Sequence, residues 1–284
     1  MRRASRAWLA WPAYLVLALG AQAFVPRTAG ACPQPWEAAA GPLPAGIGPA
    51  DFGAIPEACP AAEVTLRLRG TLLVASSGPD FYGNVGAGAM VRARFSLSAR
   101  MWMSLALDAA TFRYVANAVV TSSGVAAGPP TVGLYRGLAL GSNLDLAVYG
   151  RALLPFDGAR HDGFETGLEV GTTARIAYRA RIGVDAGLAL VAPLDVAGGQ
   201  MHRYLRPAGL LEVWYAPRSW VALVAGAGAR AEVAPDVSLT SVAPRIAARF
   251  AMRHRAWLAV LAEVPVVGTD RTDLVAGLYA GWSP

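Results

Sequence analysis

The chain alternates between apolar and polar residues, and the alternation is clearest from Phe164 to Pro193. One side of an extended segment collects Phe164, Leu168, Val170, Ala174, Ile176 and Tyr178. The other side collects Glu165, Glu169, Thr173, Arg175 and Arg179. Successive side chains of a β-strand point to opposite faces. After a turn near Arg179–Arg181 the alternation resumes, so this stretch is predicted to form a β-hairpin with one apolar and one charged face.

The same alternation recurs from Glu63 to the last residues and predicts about twelve strands. These strands are expected near residues 63–74, 81–97, 101–114, 131–140, 143–154, 163–178, 181–192, 204–215, 219–233, 237–252, 256–266 and 272–282. Short turns alternate with longer polar loops, of which Val115–Pro130 is the longest. Hydrophobic residues make up 55% of the chain, and the mean hydropathy is +0.38. Strands that are apolar on one face throughout such a chain indicate an all-β, antiparallel transmembrane β-barrel.

Aromatic residues concentrate at the expected strand ends, which predicts two interfacial girdles. Those beside short turns or the C-terminus are Trp102, Tyr178, Trp214, Tyr215, Trp220, Phe250, Trp257 and Trp282. Those beside long loops are Phe81, Tyr82, Phe112, Tyr114, Phe156, Phe164 and Tyr204. Tyr149 differs, because it lies mid-strand on the same side as Asp145 and Arg151. Arg136 shares the apolar side of Leu134 and Leu138, which indicates either a bulge in that strand or a wrong register there.

The N-terminal part divides into two predicted segments before the barrel at residues 63–284. Residues 1–23 combine Arg2, Arg3 and Arg6 with an apolar run and a small-residue cleavage triplet, which predicts an export signal peptide. Residues 24–62 are rich in Pro, Ala and Gly and predict a periplasmic linker or a plug-like segment. Cys32 and Cys59 lie in this exported segment, where a disulfide is expected; a lipidated Cys32 is the alternative.

The predicted inner face carries the candidate chemistry. Its arginines are Arg67, Arg69, Arg92, Arg94, Arg151, Arg175, Arg179, Arg230, Arg245 and Arg249. Its carboxylates are Asp108, Asp145, Glu165, Glu169, Asp185, Glu212, Glu232 and Glu263. Because arginine outnumbers acid, a water path lined by these residues would favour anions. Without such a path, the same residues would form a salt-bridged plug.

In pattern, the region from Glu63 to Pro284 resembles the Gram-negative outer-membrane β-barrel proteins. Its last strand alternates up to Trp282, although Ser283 and Pro284 follow where such proteins usually end on Phe. The resemblance implies an outer-membrane location, contact with membrane lipid and the barrel assembly machinery, and passage of small solutes. A narrow passive channel for polar or anionic solutes is therefore the expected function, without cofactor, metal or nucleic acid.

Two alternatives belong to other functional classes. A closed structural or surface-interaction barrel would act through its outer loops, above all Val115–Pro130. A hydrolase similar to the outer-membrane phospholipase or the omptin proteases would need a histidine near the outer rim, where His161 and His202 are expected. Their spacing from Ser and Asp residues does not match either enzyme family, and the protein is not expected to be an enzyme.

Overall fold

The structure is a computed structural model that describes most of the chain from Glu63 onward. The described residues are 63–77, 80–98, 100–116, 121–126, 130–139, 144–154, 166–178, 181–194, 205–233, 238–252, 256–264, 266 and 274–282. The predicted signal peptide, residues 24–62, and both cysteines lie outside them. No helix within the described ranges is long and apolar enough to cross a membrane.

The described residues form thirteen β-strands in one antiparallel sheet. They are β1 (Glu63–Ser77), β2 (Asp80–Ser98), β3 (Met101–Ala116), β4 (Thr121–Ala126), β5 (Thr131–Ala139), β6 (Leu144–Leu153), β7 (Thr166–Tyr178), β8 (Ile182–Leu194), β9 (Arg206–Arg218), β10 (Val221–Val233), β11 (Ser238–Ala251), β12 (Ala256–Glu263) and β13 (Leu274–Trp282).

The sheet closes on itself as a barrel. Each strand from β5 to β13 pairs with the next, β13 pairs with β1, and β1, β2 and β3 complete the ring. β3 pairs with β5 along its first half and with β4 along its second half. The thirteen strands therefore occupy twelve positions around the ring. The predicted antiparallel all-β barrel is confirmed.

The prediction of a long loop over Val115–Pro130 is wrong at residues 115–116 and 121–126, which form strands. β3 continues to Ala116, and Thr121–Ala126 pairs with Thr111–Ala116 in the register that β5 keeps with the start of β3. The Ser and Gly residues of this segment are typical of loops. Cross-strand pairing overrides that weak local preference, because a strand beside a long partner satisfies its backbone hydrogen bonds.

The two faces of the barrel differ as the alternation predicts. Large apolar side chains are exposed on one face of β7 and β8, for example Val170 (58%) and Leu188 (65%). On the opposite face of the same strands, Glu169, Arg175 and Asp185 are buried. Because the barrel is a single closed layer, the buried face is its inner face, and its exposed outer face is apolar, as it is in barrels that face lipid.

The aromatic girdle prediction is partly wrong. Trp102 and Trp214 are buried on the inner face, at 7% and 1% exposure, whereas Tyr215 and Trp220 are exposed beside the turn between β9 and β10. Trp220 stacks on Phe250, with the ring centroids 6.5 Å apart. Proximity to a turn does not decide which face a side chain takes. The face is decided by the position of the residue along the strand, because every second side chain points to the same side. Trp214 is two residues after Glu212 and therefore shares its inner face.

The remaining aromatic predictions are settled only where the side chain is described. Trp257 is half-buried in β12. The side chains of Tyr178, Trp282 and the whole group beside the long loops lie outside the described part of the chain.

We expect Leu188→Arg to destabilise the barrel, because it places a charge at the centre of the outer face of β8. A cationic side chain near the bilayer midplane costs about 2–4 kcal/mol in such barrels. Urea unfolding of the protein in phospholipid vesicles measures this cost, with Leu188→Ile as the matched control. Equal stability of the two variants would contradict the assignment of this face to lipid.

Candidate functional site

A row of charged residues runs around the inner face in direct cross-strand register. The row passes from β6 to β12 through Asp145, Arg175, Asp185, Glu212, Gly226, Arg245 and Glu263. Side chains on directly opposed residues lie close together. The register therefore brings carboxylates and guanidinium groups from separate hairpins into one cluster, which we call the lower cluster because it lies toward the short turns after β7 and β9.

Arg175 and Asp185 form the best-aligned ion pair of the lower cluster. Arg175 Nε donates to Asp185 Oδ1 and Nη2 donates to Oδ2, each at 2.7 Å. The Arg175 guanidinium also lies 5.7 Å from the centre of the Trp214 ring. Both charged side chains are buried. A bidentate pair held against an aromatic ring keeps both charges neutralised and fixes their orientation.

Glu212 interacts with two arginines that lie on β11, across the intervening strand β10. Its Oε1 is 3.0 Å from Arg245 Nε, and its Oε2 accepts from Arg249 Nη2 at 3.5 Å. The contact with Arg245 is an ion pair without hydrogen-bond alignment. Gly226 of β10 lies directly between Glu212 and Arg245 in the register. Because Gly226 has no side chain, the Glu212 carboxylate can extend over β10 to the arginines of β11.

A second group of buried polar residues, the upper cluster, lies toward the loop between β6 and β7. Arg151 is paired with Glu169, and Tyr149 Oη donates to the same carboxylate at 3.0 Å. Tyr149 also stacks on Tyr135 at 5.8 Å between ring centroids. Ser104 Oγ donates to Tyr135 Oη at 3.3 Å. Side-chain contacts within this cluster connect β3, β5, β6 and β7, in addition to the backbone pairing of these strands.

The two clusters occupy different levels of the wall. Glu169 and Arg175 share the inner face of β7, and their six-residue separation corresponds to about 20 Å along a strand. Thr173 is the buried polar residue between them. The inner face of β7 therefore has two ionic zones joined by a less charged segment.

The structure places the sequence-predicted residues as follows. Buried on the inner face are Arg92, Arg94, Arg151, Glu169, Arg175, Asp185, Glu212, Arg245, Arg249 and Glu263. Asp145 is half-buried at the start of β6, and Arg230 is exposed toward the end of β10. The side chains of Arg67, Arg69, Asp108 and Glu232, and the whole of Glu165 and Arg179, fall outside the described part of the chain. That these residues line an open lumen stays a prediction.

Sequence reasoning missed several inner-face residues. Trp102 and Ser104 belong to β3, Tyr135 belongs to β5, and Trp214 and Arg206 belong to β9. Their strand parity was the available signal, since Arg206 and Trp214 are each an even number of residues from Glu212. Arg181 is exposed in the turn between β7 and β8, where the sequence analysis placed a turn. Within the described ranges, no group of three or more His, Cys, Asp or Glu residues could hold a metal ion.

Several solved structures have a similar fold. An outer membrane channel from Pseudomonas putida F1 superimposes with a TM-score of 0.65 at 12% sequence identity, over 84% of this chain and 100% of that chain. The porin NanC gives a TM-score of 0.46 at 9% identity, over 76% and 97% of the two chains. The porin KdgM gives 0.47 at 6% identity, over 78% and 99%.

The match to the Pseudomonas channel supports the fold class. No protein-family model and no curated protein matches the sequence. At such low sequence identity, the match to the Pseudomonas channel establishes the architecture only. The chain has the fold of an outer-membrane β-barrel.

We expect Gly226→Ala to disturb the lower cluster, because the added Cβ would overlap the Leu211 carbonyl oxygen and lie 2.8 Å from Glu212 Cα. Overpacking of this kind typically costs about 1–3 kcal/mol. Gly228→Ala is the matched control on the same face of β10, where the nearest atom is 3.9 Å away. Thermal unfolding of the refolded variants measures both, and equal midpoints would contradict the role of Gly226.

Proposed function

We propose that the protein is a narrow passive channel of the outer membrane for small polar solutes, with a preference for anions. It works without a cofactor and catalyses no reaction. The proposal places the barrel in membrane lipid, after export through a cleaved signal peptide and insertion by the barrel assembly machinery. Three features of the inner face support it.

The orientation of large inner side chains is the observation that carries the proposal. Tyr149 lies over Gly171, Trp214 over Gly183 and Tyr279 over Gly277, so closely that a Cβ at each glycine would overlap the ring. Each ring therefore extends sideways along the wall, over the neighbouring strand or its own strand, instead of crossing the barrel. Side chains in this orientation leave the centre of the barrel available to water.

The charge of the inner face supports anion preference. Six arginines and four carboxylates are buried there among the described residues. The excess of two positive charges produces a positive potential in a narrow, partly desolvated passage. Rings of arginine favour anions in other channels for the same reason.

The number of strands supports a narrow passage. Barrels of about eight strands are filled by their own side chains, whereas those of about 16–18 strands leave a wide aqueous channel. The twelve positions of this ring lie between these sizes. A small ion or metabolite is therefore the expected cargo.

The alternatives now depend on parts of the chain that the structure does not describe. The surface-interaction reading relied on a loop at Val115–Pro130, and residues 121–126 of that segment extend the sheet instead. The hydrolase reading relied on His161 and His202, which lie outside the described residues.

The proposal is tested by the reversal potential of the reconstituted protein under a salt gradient. We expect the double substitution Arg245→Gln with Arg249→Gln to shift selectivity toward cations, because it removes two positive charges and leaves Glu212 unpaired. The matched control, Arg245→Lys with Arg249→Lys, keeps both charges and is expected to retain anion preference.

A third variant separates charge from folding. Adding Glu212→Gln to the double glutamine variant removes the unpaired carboxylate, so its selectivity should lie between the wild type and the double variant. Heat-modifiable gel mobility confirms that each barrel is folded. Unchanged selectivity in a folded, conducting double variant would contradict the assignment of these arginines to the passage.

A further inference from the structure

Among the described residues of the outer face, Arg136 of β5 is a charged one. It is exposed, and its strand neighbours Tyr135 and Gly137 are buried on the inner face. The pairings of β5 with β3 and β6 show no register shift at this position. The sequence anomaly is therefore real, and an arginine lies on an otherwise apolar surface.

The surroundings of Arg136 are apolar on three sides. Leu134 precedes it on the same face with 50% exposure. Across the sheet it is directly opposed by Met101 of β3 and Val148 of β6, both of which are exposed. A guanidinium within such a surface needs either a route to water or an anionic partner, because an unpaired charge in lipid is costly.

Arg136 lies close to the short-turn edge of the barrel. β5 ends three positions later, at Ala139, which corresponds to about 10 Å along the strand. The neighbouring backbone belongs to the turn between β2 and β3, where Gly137 N donates to Arg100 O at 2.9 Å. Arg100 is itself exposed. A long arginine side chain at this depth reaches the headgroup region of the leaflet on that side.

The acidic side chains that the structure describes are on the other face of the wall. Asp145, Glu169, Asp185, Glu212 and Glu263 are all buried or half-buried on the inner face. None of these five carboxylates shares the outer face with Arg136, and an anionic lipid at this edge would supply the complementary charge. A phosphate group matches the planar, bidentate donor geometry of arginine.

We propose that Arg136, together with Arg100, binds the phosphate of an anionic phospholipid in the leaflet at the short-turn end of the barrel. The acyl chains lie along Leu134, Met101 and Val148. This interaction site is independent of what passes through the barrel. It explains why one strand interrupts the apolar outer face with an arginine.

The test compares the full chain refolded into phosphatidylcholine vesicles with the chain refolded into vesicles that also contain phosphatidylglycerol. Loss of the heat-modifiable band measures the unfolding midpoint. We expect phosphatidylglycerol to raise the midpoint of the wild type by about 2–4 °C. Arg136→Gln should lose most of this gain, and Arg136→Lys should keep part of it.

Two controls distinguish a lipid site from general electrostatics. Arg230→Gln removes an exposed arginine toward the other end of the barrel and should keep the gain. Arg136→Leu should raise the midpoint in phosphatidylcholine alone, because it removes a charge from the apolar face. A full gain in Arg136→Gln, or an equal loss in Arg230→Gln, would overturn the proposal. So would an equal gain from inorganic phosphate added to phosphatidylcholine vesicles.

Discussion

The barrel depends on neutralising buried charge within a wall one residue thick. Among the side chains that the structure describes, ten charged ones are buried on the inner face, and an uncompensated charge there would be costly to stability. Cross-strand register solves this problem, because it opposes Arg175 to Asp185 and aligns Glu212 with Arg245. The ion pairs therefore depend on the strand register of the ring, and the ring depends on the ion pairs to neutralise its buried charges. A shift of one residue in any of these strands would turn the charged set toward lipid.

Glycine determines how far the inner side chains can reach along this wall. Gly226 lets Glu212 reach a strand that is not its neighbour, and Gly183 leaves room for the ring of Trp214. Large side chains thereby pack against backbone, along the wall of the barrel. The proposed channel would have to hold a polar lining in place while leaving a path, and side chains that lie along the wall would meet both demands. The outer face is apolar instead of polar, and Arg136 is the charged exception among its described residues.

The amino-acid sequence was sufficient to predict the architecture and the face of most charged residues, because period-two alternation is strong wherever one face is apolar. The bulge or register error that Arg136 indicated is absent, because β5 pairs without interruption on both sides. The partners of the charges could not be predicted, since Glu212 finds Arg245 through the register of three strands and the absence of a side chain at Gly226. The strand at Thr121–Ala126 was missed because its Ser and Gly residues resemble a loop until β3 is placed beside them. Trp214 was assigned to the outside because its distance from a turn was weighed above its parity with Glu212.

Single-channel conductance of the full-length protein, refolded and inserted into a planar bilayer, tests the central claim most directly. If the inner side chains leave a narrow path lined by excess arginine, the protein will give small, discrete current steps that carry chloride in preference to potassium. A protein that shows the heat-modifiable mobility of a folded barrel and yet gives no current would contradict the claim. In that case the paired charges would form a closed core instead of the lining of a channel.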